Sequence, residues 1–111
     1  MDDEKHVREA VFTWFSEHGF SVQVAENGAR AVDLCAEETF DLVIMDLEMP
    51  VMKGPEAIKA IRATLPDLPI VVFSGFSTQT QEAVEMGANL ILQKPLGLRE
   101  LEREVREVLS V

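Results

Sequence analysis

At 111 residues, with 47% hydrophobic and 27% charged side chains, the chain has the size and composition of one globular domain around a modest core. Twenty acidic against ten basic residues give a net charge of −10, which disfavours direct contact with nucleic acid or an anionic membrane surface. No apolar stretch approaches the roughly 18 residues of a membrane span, the amino terminus is too acidic for a signal peptide, and the single cysteine, Cys35, excludes an intrachain disulfide, so a cytoplasmic location is expected.

In chain order the hydrophobic period switches between helix-like and strand-like segments. Val7, Ala10, Val11, Trp14, Phe15 and His18 recur at helical spacing and stop at Gly19, which predicts an amphipathic helix over residues 5–18. Phe20 to Ala25 alternates and predicts a strand. Asn27-Gly28 is a turn, and Ala31, Val32, Leu34 and Cys35 mark a second helix reaching about Glu38, with Cys35 a packing residue rather than a reactive thiol. Leu42-Val43-Ile44-Met45 is a short apolar run closed by Asp46, the pattern of a buried parallel strand. Pro55 stands where a first helical residue would be, and Ala57, Ile58, Ile61 and Leu65 carry a helical stripe as far as Pro66. Ile70-Val71-Val72-Phe73 follows Pro69 as another buried strand. Ser77 to Met86 reads as a short helix ending at Gly87, Leu90 to Gln93 as a strand, and Leu98, Leu101, Val105, Val108 and Leu109 as the apolar stripe of a closing helix. Strands alternating with helices imply a mostly parallel, doubly wound α/β sheet covered on both faces. No repeat or linker divides it, which predicts one domain over residues 1–111.

Open α/β sheets bind ligands at the carboxyl ends of their strands. Three predicted ends carry chemistry: Asp46 after Met45, Ser74 after Phe73 and Lys94 after Gln93. A carboxylate can act as a nucleophile, a hydroxyl can donate to a phosphoryl oxygen, and an ammonium can neutralise one. Asp2 and Asp3, just ahead of the first helix, are adjacent acids of the kind that hold a hard cation such as Mg²⁺ beside phosphate oxygens. Each residue has an ordinary reading when taken alone: Asp46 as a turn cap, Ser74 as a loop polar group, Lys94 as a solvated lysine, Asp2-Asp3 as helix N-terminal charge. Independent surface residues have no reason to follow successive buried strands, so the joint pattern favours a site. His6 and His18 read as helix-surface residues.

These residues resemble the receiver domains of bacterial two-component response regulators over essentially the whole chain. The resemblance is carried by Asp2-Asp3-Glu4 with Arg8, Asn27-Gly28, Asp41-Leu42-Val43-Ile44-Met45-Asp46, Met49-Pro50, Met52 with Gly54, Pro69-Ile70, Ser74-Gly75, Gly87-Ala88 and Lys94-Pro95. It implies a flavodoxin-like fold and a phosphoacceptor rather than a turnover enzyme. Asp46 would take a phosphoryl group from the phosphohistidine of a sensor histidine kinase or histidine phosphotransfer protein, and the domain would signal to a downstream protein partner by contact. By the same resemblance Mg²⁺ would be held by Asp2, Asp3, Asp46 and the backbone carbonyl of Glu48, with Ser74 and Lys94 completing the site and Ser74 moving toward the phosphoryl group.

The chain departs from the family pattern at Ile91, where an aromatic switch residue is usual, and at Glu48, Lys53 and Phe76 around the site. The largest departure is that only Met1 precedes Asp2, where receivers carry an apolar first strand in the middle of a sheet ordered 2-1-3-4-5. Phe20 to Ala25 and Leu42 to Met45 would then lose the element between them. The expected answers are a start upstream of Met1, direct pairing of the two orphaned strands in a four-stranded rearrangement, or filling of the gap by another chain as a homodimer or strand-swapped oligomer. Two other functions stay open: a degenerate receiver that binds protein without phosphorylation, and a small phosphohydrolase with Asp46 as nucleophile and Glu48 as general acid.

Overall fold

Alternate residues of a strand point to opposite faces of its sheet, and the apolar runs of this chain divide accordingly. The computed structural model describes residues 5–47, 52–75, 79–94 and 96–110. Its elements are α1 (Lys5–Glu17), α2 (Gly28–Glu37), β1 (Val43–Met45), α3 (Gly54–Thr64), β2 (Ile70–Ser74), α4 (Thr80–Met86), β3 (Leu90–Gln93) and α5 (Leu98–Leu109). The strands are parallel in the order β1-β2-β3, with Val43 opposite Ile70 and Val72 opposite Ile91.

Val43 and Met45 of β1, with Ile70 and Val72 of β2, pack against Leu34 and Cys35 of α2, Ala57, Ile58 and Ile61 of α3 and Ala83 of α4. Ile44, Phe73 and Leu92 point the other way, toward Phe15 of α1 and Leu101 and Val105 of α5. The sheet is therefore covered on both faces, which is why its strands read as continuous apolar runs. Full burial of each such side chain is worth about 1.5–3 kcal/mol. Asn27 starts α2 by accepting the Arg30 N–H on its Oδ1 at 2.8 Å, and the Glu100 carboxylate accepts the Gly97 N–H at 2.9 Å at the start of α5.

Two expectations about the chain between α1 and α2 are overturned. Phe20 to Ala25 is not a strand, and it does not pair with β1 to make a fourth. Among the described residues none is hydrogen-bonded to residues 21–25, and Phe20, Val22 and Val24 line an apolar groove together with Leu42 and Ile44 instead of pairing with β1. A ladder needs neighbouring backbones about 4.8 Å apart. Here both ends of the segment are fixed elsewhere. The Phe20 N–H donates to the Phe15 carbonyl at 3.0 Å, its ring meets Phe15 edge-on at 5.1 Å and lies 4.7 Å under the Arg106 guanidinium, while Asn27 is committed to its cap. A smaller adjustment concerns α4, which begins at Thr80; the expected helical start at Ser77 lies outside the described residues.

Candidate functional site

The three chemistry-bearing residues leave adjacent parallel strands on the same edge. Met45, the last residue of β1, is paired with Val72; Ser74 is opposite Gln93 in register; and the Lys94 N–H donates to the Ser74 carbonyl at 2.8 Å. Asp46 and Ser74 are each only 4% exposed. The Ser74 hydroxyl donates to Asp46 Oδ1 at 2.6 Å, and Lys94 Nζ stands 3.7 Å from Asp46 Oδ2. A hydroxyl and an ammonium thus address different oxygens of one buried carboxylate, so its charge is compensated by directed groups rather than by bulk water. The Ser74 oxygen also receives the Leu47 N–H at 3.5 Å, and Lys94 Nζ lies 5.5 Å from the centre of the Phe73 ring.

The sequence did not show two of the contacts around this site. Phe73 belongs to the apolar run of β2, and only the fold shows its ring beside the Lys94 ammonium, a cation–π arrangement. Gly54 makes the other. Its N–H donates to the Leu47 carbonyl at 3.0 Å, and a Cβ there would meet Leu47 Cα at 2.6 Å and the Asp46 carbonyl oxygen at 2.7 Å. The first turn of α3 therefore sits directly on the backbone that carries Asp46. A glycine just ahead of a predicted helical proline was the available signal.

The structure brings Asp46, Ser74 and Lys94 together. Asp2, Asp3 and Glu48 lie outside the described residues, as do Phe76 and Pro95, and among the described residues no three His, Cys, Asp or Glu side chains form a metal-binding group. Ile91 packs toward α2, α3 and α4 and lines a cavity of about 200 Å³ with Leu47, Val72, Ser74 and Thr80. Cys35 is buried, and burial pushes its thiol above the ordinary range, in keeping with a packing role. His18 is exposed and stacks on Trp14 with ring centres 4.2 Å apart.

A buried aspartate held by a hydroxyl and an ammonium at the carboxyl edge of a parallel sheet narrows the comparison, and residues 1–106 match the pattern of the response regulator receiver domain. The chain belongs to that family. This receiver is 35% identical over 111 residues to response regulator MprA of Mycolicibacterium vanbaalenii, covering 98% of this chain and 48% of that protein. It is 33% identical to MprA of Mycobacterium avium, covering 98% of this chain and 49% of that one. The receiver spans about half the length of these curated relatives. Among solved structures, response regulator TrrA of Thermotoga maritima in complex with Mg²⁺-BeF is 30% identical with a TM-score of 0.87, covering 96% of this receiver and 93% of that chain. A CheY-like receiver from Methanospirillum hungatei shares the fold with a TM-score of 0.94 at 21% identity, covering 98% of this receiver and 89% of that chain. The fold is thus flavodoxin-like, and the receiver is a module of two-component signalling. No described helix is long and apolar enough to cross a membrane.

Proposed function

We propose that this receiver is a phosphoacceptor and that residues 1–111 act as one domain in that role. One observation carries the reading: Asp46 is buried, with the Ser74 hydroxyl on one oxygen and the Lys94 ammonium near the other. A carboxylate oxygen of Asp46 attacks the phosphorus of a phosphohistidine on a sensor histidine kinase or histidine phosphotransfer protein. The new P–O bond forms as the P–N bond breaks, and the electron pair returns to the imidazole nitrogen, which takes up a proton. Transfer of this kind depends on positioning and charge neutralisation more than on covalent chemistry. Lys94 supplies a fixed positive charge within reach of the phosphoryl oxygens. Ser74, already on Asp46, needs only to pass its hydrogen bond from the carboxylate to the incoming group.

The donor set expected for a metal is all hard oxygen, which suits Mg²⁺. Asp2, Asp3, Asp46 and the Glu48 carbonyl would hold it, and the ion would supply charge neutralisation for the transferring phosphoryl group. TrrA, 30% identical, was solved with Mg²⁺-BeF, which supports the assignment. Output passes by contact to a downstream protein. A second copy of the chain would bear on the apolar groove that Leu42 and Ile44 line together with Phe20, Val22 and Val24.

Incubation with Mg²⁺ and acetyl phosphate, followed by intact-mass measurement, is expected to add one phosphoryl group to the wild type and none to Asp46→Ala. Equal masses with and without donor in both proteins would sink the reading and favour a phosphorylation-independent binding module. Multiple turnover of a phosphomonoester would favour the phosphohydrolase.

A further inference from the structure

Arg62, in the last turn of α3, uses all five of its N–H groups at the amino ends of the strands, away from Asp46. Its Nε donates to the Gly87 carbonyl at 3.1 Å. One terminal nitrogen donates to the same carbonyl at 2.9 Å and to Asn89 Oδ1 at 2.7 Å, and the other to the carbonyls of Leu65 at 3.0 Å and Leu68 at 2.5 Å. Asn89 is in turn bound to the first residue of β2 in both directions. Its Oδ1 accepts the Ile70 N–H at 2.8 Å, and its own N–H donates to the Ile70 carbonyl at 2.8 Å. One guanidinium therefore joins the end of α3, the loop before β2, the end of α4 and the approach to β3.

Gly87 is fitted to this contact. It ends α4 at φ +113°, and a Cβ there would lie 2.9 Å from Arg62 Nε and 3.2 Å from Cγ and Cδ, so both the backbone and the space demand glycine. The helix it closes has 7 residues, with Ala83 buried, and is too short to be stable by itself. The C-terminal end is bound to Arg62, while the N-terminal end is reached through the segment that follows Ser74 and Gly75.

We propose that Arg62 is the fixed pivot of α4, so that a rearrangement at Ser74 is delivered as a swing of the helix's N-terminal end about Gly87. The trigger rests on the phosphoacceptor reading of Asp46; the tie does not. A lysine cannot replace the planar fork, because a single ammonium cannot face Gly87, Asn89, Leu65 and Leu68 at once.

Amide hydrogen exchange on the intact chain tests the two parts separately. In the resting protein, Arg62→Lys and Gly87→Ala are each expected to speed exchange at Gly87, Ala88 and Asn89 roughly tenfold or more. Those amides donate to Val84, Ala83 and Ile70 respectively. The Val43 amide, bonded to the Pro69 carbonyl, is the control for loss of the whole fold and keeps its protection. Adding Mg²⁺ and beryllofluoride to the wild type is expected to alter exchange at Ala83, which donates to Gln79, and to leave Gly87 to Asn89 as they were. Unchanged exchange at residues 87–89 in both variants overturns the tie, and equal changes at both ends of α4 in the wild type overturn the pivot. If beryllofluoride changes nothing anywhere, the phosphoacceptor reading fails instead, and the resting comparison still decides the tie.

Discussion

The Ser74 hydroxyl lies 2.6 Å from an aspartate oxygen, and both residues are closed off from water, so the bond is charge-assisted and its loss is not made good by solvent. Ser74→Ala is expected to cost about 1.5–3 kcal/mol of stability, the range for hydrogen bonds to charged groups. Urea unfolding monitored by circular dichroism checks this, and Ser74→Thr, which keeps the hydroxyl, should recover most of the loss. At this scale the sequence was informative for a definite reason. Asp46, Ser74 and Lys94 each end an apolar run, and parallel strands bring such ends to one edge whatever the intervening loops do. The sequence was silent on which oxygen each partner takes, on the Phe73 ring beside Lys94 and on what Gly54 touches, because those contacts depend on how a helix and three strand ends are spaced.

Among the elements, α1 and α5 are joined by a polar latch rather than by apolar contact alone. Trp14 Nε1 donates to Glu102 Oε1 at 2.8 Å, Arg106 Nε to Glu102 Oε2 at 2.7 Å, and the Arg106 terminal nitrogen to the His18 carbonyl at 2.9 Å. The hydrogen bond from Arg106, then that from Trp14, holds the Glu102 carboxyl below its ordinary range. A carboxyl lowered in the folded state adds stability above its unfolded pKa, about 4.3, and that contribution disappears as pH falls through the lowered value. The stability difference between wild type and Glu102→Gln is therefore expected to shrink on acidification below about pH 4. Unfolding curves followed by fluorescence of Trp14, the only tryptophan, measure it. The helices were legible because each carries its own period and a start or stop signal, as Pro55 shows for a start and Gly19 and Gly87 for stops. Phe20 to Ala25 was misread for the converse reason: its alternation is that of a strand, but a strand exists only with a neighbour, and no residue within the segment states whether one is present.

For the whole molecule, the groove beside β1 and the net charge of −10 act against each other. The apolar walls of the groove favour association of two copies there, while like-charged surfaces resist it. Self-association is therefore expected to strengthen as salt screens the repulsion, and to weaken in Val22→Lys, which places a charge in the groove. Sedimentation across protein and salt concentration decides the matter; a monomer under all conditions removes the second copy from the proposal.

Cys35 bears on how α4 can be watched. Only 6% exposed, with a thiol that burial keeps protonated, it is a poor target for maleimide or a nitroxide reagent in the folded protein. Val84, on α4, is 49% exposed. A reporter attached through Val84→Cys would thus be site-selective in the native chain without first deleting a cysteine, and the core that Cys35 fills would stay as it is.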